Sequence, residues 1–220
     1  MSMDGGRFFY PNPLSSDGKY AFNADNTKTR QPWFGCACCP SNLCRFIPSV
    51  PGYLYGVKDN NIYVNLFAAN TSTIQVGGKD VVLEESTQYP WDGDIQIRVV
   101  KSAAKNANLL VRIPGWIQNQ VLPSDLYKYS DTAKPAYTVS VNGKKVEADF
   151  VANKGYLPVK NIKKGDVVRI HFDMPVRTVV ANNNVKDDEG RVAVERGPIV
   201  YCAEAADNQN EPVLRAVIGK

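Results

Sequence analysis

The sequence predicts a mainly β chain of β-sandwich architecture, preceded by a short segment of a different kind. Three observations carry this reading. From Gly52 onward the apolar residues recur with a period of two, in short runs. Turn signals built from Gly, Pro, Asn and Asp separate those runs every 8–12 residues or so, the rhythm of an all-β sandwich. No stretch holds a 3.6-residue apolar period long enough for a long helix, which argues against a doubly wound sheet.

Residues 1–30 read as irregular, with Gly5-Gly6, Pro11, Pro13 and a turn at Asp17-Gly18. Phe8 to Tyr10 and Tyr20 to Phe22 are expected as two short strands of an arm-like hairpin. Pro32-Trp33-Phe34-Gly35 then leads into the cysteines. Pro40-Ser41-Asn42 resembles a helix start, since Ser41 or Asn42 can cap and Pro40 cannot continue a ladder. A short helix is expected over Asn42 to Ile47, stopped by Pro48 and Pro51. The cysteines would then lie just before its N-terminus, where backbone N–H groups favour a thiolate.

The strands follow in order: Tyr53 to Tyr55, a turn at Asp59-Asn60-Asn61, Ile62 to Phe67, Thr73 to Val76, Val81 to Glu85, Asp94 to Val100 and Asn108 to Ile113. After a Pro- and Ser-containing excursion come Tyr137 to Val141 and Lys144 to Glu147, joined by Asn142-Gly143, the strongest hairpin signal in the chain. Tyr156 to Val159, Val167 to Met174, Arg177 to Ala181, Arg191 to Glu195 and Ile199 to Cys202 complete the set.

The composition is that of an ordinary globular protein. Of 220 residues, 44 % are hydrophobic and 22 % charged, and 16 Gly and 14 Pro are spread without a period, which excludes collagen, low-complexity disorder and coiled coil. The net charge of +4 is small and scattered, so no nucleic-acid partner is indicated. No apolar run reaches the length of a membrane span, and no membrane partner is expected. The start, MSMDGGRFFYPNPL, has no apolar core of a secretory signal and reads like the interior of a domain.

Four of the five cysteines, Cys36, Cys38, Cys39 and Cys44, fall within nine residues, and Cys202 stands alone. An odd, clustered set is a poor disulfide framework, although a strained vicinal Cys38–Cys39 disulfide is one alternative. Buried thiols are the expectation for Cys44 and Cys202. Three thiols in Cys36-Ala37-Cys38-Cys39 suit zinc, which prefers thiolates and takes four ligands, but this segment offers two or three. The single His171 lies far along the chain and is expected to be a solvent-facing or satisfied strand residue. Trp91 and Trp116 are expected as loop aromatics at one end of a sandwich; the alternative is a platform for sugar rings, which would make the chain a non-catalytic carbohydrate-binding module. Asp92 and Asp94 are too closely spaced to define a mechanism or a calcium loop.

Trp33-Phe34-Gly35-Cys36-Ala37-Cys38-Cys39-Pro40-Ser41-Asn42, with Arg45 following, resembles glycoside hydrolase family 127, the β-L-arabinofuranosidases. Asp4-Gly5, Phe8-Phe9-Tyr10 and Asn12-Pro13-Leu14 resemble the stretch before those cysteines. Tyr63 to Phe67, Tyr89-Pro90-Trp91, Arg112 to Trp116, Gly165-Asp166 and Arg196 to Tyr201 resemble family segments in the family's order. The resemblance implies an (α/α)6 barrel followed by β-sandwich domains, and a zinc ion held by one glutamate and three cysteines. It implies that Cys38 is both metal ligand and nucleophile in a retaining mechanism, and that Cys39 is a ligand only. Cys36 would stand beside the site, and Trp33 and Phe34 would line the pocket or pack the barrel wall. The third cysteine and the glutamate belong to a Glu-x-Cys segment that this sequence lacks, as it lacks the barrel helices and the general acid/base glutamate.

The expected division is therefore residues 1–52 as the tail of the catalytic barrel, 53–175 as a middle sandwich and 176–220 as the opening of a last β domain. The implied partner is a saccharide carrying arabinofuranosides. The chain alone is expected to bind zinc poorly, to hydrolyse nothing, and to associate with the missing barrel portion or with a second copy. The thiols lean towards a reducing, cytoplasmic compartment.

Overall fold

The computed structural model describes residues 2, 4–11, 19–36, 38–147, 150, 154–204, 208 and 213–219, without the side chains of Cys39 and Pro40. The described chain forms two compact units, Met1–Val50 with Ala203–Lys220, and Pro51–Cys202. The expected turn at Asp17-Gly18 lies outside the described residues.

The larger unit opens with a single turn of helix, α2 (Pro51–Leu54), and carries fourteen strands in three sheets. The first sheet has the order β1 (Tyr55–Lys58), β2 (Asn61–Val64), β6 (Asn108–Arg112), β10 (Tyr156–Val159). The second runs β3 (Asn70–Val76), β4 (Lys79–Thr87), β5 (Asp94–Ser102), β11 (Val167–Phe172), β8 (Tyr137–Val141), β9 (Lys144–Lys145). The third runs β14 (Ile199–Tyr201), β13 (Val192–Arg196), β12 (Val176–Ala181), β7 (Tyr127–Tyr129).

Alternation builds the core. Ile62 and Val64 of β2, Leu109 and Val111 of β6, and Leu157 and Val159 of β10 are buried from the first sheet. Leu83, Ile97, Val99, Val168, Ile170 and Phe172 are buried from the second, and all join one apolar cluster, as sandwich packing requires. The chain leaves the first sheet after β2, builds β3–β5 in the second, and returns as β6. That excursion makes β6 parallel to β2 while the other pairs are antiparallel. The tight turns meet their chemical demand: Gly77 and Gly78 (φ 56° and 72°) join β3 to β4, and Asn142 and Gly143 (φ 51° and 80°) join β8 to β9.

One inward position is acidic. Glu85 of β4 is 2 % exposed and lies in the row of buried residues. Its carboxylate accepts hydrogen bonds from the Tyr55 hydroxyl (2.9 Å) and the Ala68 N–H (3.1 Å). Burial nevertheless pushes its pKa up to about 7, against the downward pull of those bonds. Between pH 4.5 and 7 the folded chain therefore keeps a proton that the unfolded chain has released, so this group makes stability fall as pH rises through that window. Over the window the fall amounts to about 3 kcal/mol. Urea unfolding midpoints measured against pH should show that fall in the native chain and not in Glu85→Gln; parallel curves would contradict it.

The smaller unit has little regular structure. Its helix α1 spans Cys38–Ser49. The expected strands at Phe8 to Tyr10 and Tyr20 to Phe22 do not form; the described residues there make two isolated bridges, Phe8–Gln31 and Asn23–Thr27, and aromatic contacts hold the segment instead. Phe34, 2 % exposed, packs edge-on against Phe8 (5.1 Å) and Tyr10 (5.5 Å). Asn23 is buried with its amide satisfied: its oxygen accepts from the Tyr10 N–H (2.8 Å) and its nitrogen donates to the Thr29 carbonyl (3.1 Å). The Arg30 guanidinium pairs with Glu204 and lies 4.6 Å from the Phe9 ring centre. Among the described residues no helix is long and apolar enough to cross a membrane.

Candidate functional site

The helix reaches further back than its sequence signals indicate. Cys38 and Cys39 are the first residues of α1 rather than its approach, because Pro40 is tolerated in a first helical turn where no intrahelical N–H bond is needed. Ser41 does not cap; its hydroxyl donates back to the Cys38 carbonyl at 2.9 Å. The loop before the helix is fixed by the Gly35 N–H donating to the Asp25 carboxylate at 3.2 Å.

This scaffold brings three polar groups together. Cys38 Sγ lies 2.5 Å from the Tyr10 hydroxyl and 3.5 Å from Cys36 Sγ, and Cys36 and Cys38 are both exposed. Tyr10 is itself braced, through its N–H to Asn23 and its ring edge-on to Phe34. Of the aromatics expected near the pocket, Trp33 is 60 % exposed while Phe34 is buried behind Tyr10. The Cys39 side chain lies outside the described residues. Nothing in the chemistry of Tyr10 alone marks it in the sequence; its signal there is its place in Phe8-Phe9-Tyr10 of the stretch that resembles the family.

Thiol sulfurs are the donors zinc prefers, and Cys38 presents one at the exposed start of α1. The donor chemistry therefore fits the metal, but the number of donors falls short. Among the described residues no group of three or more His, Cys, Asp or Glu side chains converges.

The other sequence candidates separate. Cys44 is exposed because the α1 face that carries it is exposed, and Cys202 is exposed just past the end of β14, an edge strand; neither is the buried thiol expected. Trp116 is 9 % exposed and packs on Phe172 with ring centres 5.7 Å apart, so it is core and offers no face to a sugar. Trp91 is 67 % exposed. His171 is an exposed strand residue with both ring nitrogens engaged, Nδ1 with Asp94 (2.6 Å) and Nε2 with Asp173 (3.1 Å). The hydrogen bond to Asp94, and then the one to Asp173, hold its pKa above the usual imidazole value.

Three family models match in succession: the β-L-arabinofuranosidase GH127 catalytic domain over residues 1–52, the GH127 middle domain over 61–174 and the glycoside hydrolase family 127 C-terminal domain over 176–219. A non-reducing end β-L-arabinofuranosidase of Bifidobacterium longum subsp. longum is 34 % identical, over 96 % of this chain and 30 % of that protein. A solved GH127 β-arabinofuranosidase is 56 % identical with a TM-score of 0.83, over 94 % of this chain and 31 % of the other. A GH127 β-L-arabinofuranosidase from Geobacillus stearothermophilus T6 is 35 % identical with a TM-score of 0.77, over 94 % of this chain and 31 % of the other. The chain thus spans about a third of the length of these relatives. With all three family models matched in order along its length, this mainly β chain belongs to glycoside hydrolase family 127.

Proposed function

We propose that the chain is the C-terminal portion of a zinc-dependent, retaining β-L-arabinofuranosidase, with Cys38 as nucleophile and metal ligand and Cys39 as a second ligand. The observation that carries the reading is the exposed Cys38 thiol on the first turn of α1, with the Tyr10 hydroxyl 2.5 Å from its sulfur. Zinc, when bound, keeps a coordinated thiol ionised at neutral pH. The glutamate and third cysteine that complete the ligand set would come from outside this chain, as would the glutamate acting as acid and base.

The chain's own part in the reaction follows. The Cys38 sulfur attacks the anomeric carbon, forming a C–S bond as the C–O bond to the leaving group breaks, and the external acid gives its proton to the departing oxygen. The Tyr10 hydroxyl donates to the sulfur and fixes its direction of approach. Water, deprotonated by the same glutamate, then displaces the sulfur and releases arabinose with its configuration retained. Cys36 stands beside the sulfur without a bond to make in either step.

Residues 1–52 would be the tail of the barrel, with 53–175 as a middle sandwich and 176–220 as the opening of a last β domain. Leu43, Phe46 and Ile47 support the first of these. They lie at helical spacing on one face of α1 and are 49 %, 53 % and 62 % exposed, an apolar face suited to neighbouring barrel helices.

The test joins the chain to an upstream GH127 barrel that carries the Glu-x-Cys segment and follows an aryl β-L-arabinofuranoside by NMR. The expected result is zinc-dependent release of β-configured arabinose by the joined protein and none by the chain alone. Release of the α anomer, or turnover that survives a chelator, would overturn the reading.

A further inference from the structure

The outer face of the second sheet carries a trough of about 440 Å³ that no step of the glycosidase reading uses. Its lining is ordered by strand register. Across β4, β5, β11 and β8 one rung places Ser86, Gln96, Arg169 and Ser140 side by side, and the next places Asp94 beside His171. In the first rung two long side chains stand on neighbouring strands of the six-stranded sheet with a short hydroxyl on either side, and all four line the trough. The backbone beneath is fixed on both sides by ladder bonds, and Ile95 and Ile170 anchor it in the core at 2 % exposure each. The backbone positions that carry the lining side chains are thereby fixed before any ligand arrives.

The chemistry of the lining is selective. Arg98 on the same face is paired with Glu84, whereas the Arg169 guanidinium has no hydrogen bond or ion pair with any described residue. Its five donors are therefore open. Gln96 and the two serines can each donate and accept, and Asp94 accepts only. Within the lining the Asp94 carboxylate offsets the Arg169 guanidinium, so the trough has no surplus positive charge to draw an anion. A mixed set of donors and acceptors without net charge matches hydroxyl groups, each of which donates one bond and accepts others.

We propose that this trough is a second saccharide-binding subsite, which takes a neutral oligosaccharide segment through hydrogen bonds from Arg169 and Gln96. The ligand class rests on the glycosidase reading, but the residues are separate from it.

The experiment records amide spectra of the 15N-labelled 220-residue chain titrated with neutral arabinan oligosaccharides, and separately with oligogalacturonate. The neutral sugars are expected to shift resonances on β5, β8 and β11. Arg169→Ala, at an exposed position, and Gln96→Ala, at a half-buried one, should each weaken binding by about tenfold, as expected for the loss of a hydrogen bond to a charged or polar group. Cys38→Ser should bind as the native chain does. The proposal is overturned if these strands do not shift, if both variants bind unchanged, if oligogalacturonate binds in preference, or if Cys38→Ser abolishes binding. If binding holds while the joined enzyme lacks turnover, only the glycosidase reading falls; turnover without these shifts removes only the subsite.

Discussion

Gly93→Ala is expected to lower the thermal midpoint of the larger unit by about 10 °C, a loss of roughly 3 kcal/mol or more. Gly93 precedes β5 and crosses directly over β11. A Cβ there would overlap the carbonyl oxygen of Phe172 and come within 2.9 Å of its carbonyl carbon. Neither side can retreat. The Phe172 N–H donates to the Gly93 carbonyl at 3.0 Å, which ties the two backbones together. The Phe172 ring is 1 % exposed and wedged among Phe67, Tyr89 and Trp116, with ring centres 5.7, 6.5 and 5.7 Å away. The added methyl can be accommodated only by moving a strand out of register with the core, and core overpacking of that kind consumes much of a domain's net stability. Gly52→Ala is the control, because a Cβ at Gly52 meets nothing within 4 Å. Calorimetric midpoints for the two variants should separate widely; equal midpoints would show that the approach of Gly93 to Phe172 is not rigid.

Cys38→Ser carries the largest expected effect on activity. In an enzyme assembled from this chain and the upstream barrel, kcat should fall at least ~10⁴-fold, since removing a covalent nucleophile leaves only binding and electrostatic assistance. A serine hydroxyl in that place is a poor nucleophile at neutral pH and a poor ligand for a soft metal. Cys36→Ser, whose sulfur is 3.5 Å from that of Cys38, should cost no more than about tenfold if Cys36 only neighbours the site. Tyr10→Phe keeps the ring against Phe34 and removes only the hydroxyl beside the sulfur. It should lower kcat by about ten- to a hundredfold with KM little changed, as expected for a hydrogen bond to a charged group. Steady-state kinetics on the three variants distinguishes these roles; a Cys38→Ser enzyme that keeps a tenth of its activity would remove Cys38 from the chemistry.

Much of the β architecture can be read from alternation. The bounds of β8 and β10 coincide with the period-two runs, and Asn142-Gly143 marks its hairpin because only such residues adopt the positive φ of that turn. Sheet order is another matter. β2 and β6 lie side by side in parallel although three strands of another sheet separate them along the chain, and local period carries no information about such a partner. β7 carries no alternation signal, because Tyr127-Lys128-Tyr129 is short and sits among polar and turn residues; its pairing with β12 makes it a strand. The two tryptophans show the same limit. Trp91 and Trp116 occupy similar-looking loop positions, yet one is exposed and the other is core, because the 3₁₀ turn Gly115–Gln118 directs Trp116 onto Phe172. At the site, the cysteine cluster was legible from its crowding alone. Tyr10 was not, since its approach to Cys38 depends on the packing of Phe34 and Asn23, which are distant from it in the sequence.

The central claim is that the Cys38 sulfur becomes bonded to the sugar. The direct measurement is peptide mass spectrometry of the joined enzyme, acid-quenched while turning over a β-L-arabinofuranoside with an activated leaving group. The account predicts a single pentosyl adduct, mapped to Cys38 and absent from Cys38→Ser. An adduct on a carboxylate side chain, or on Cys36 in place of Cys38, would contradict it.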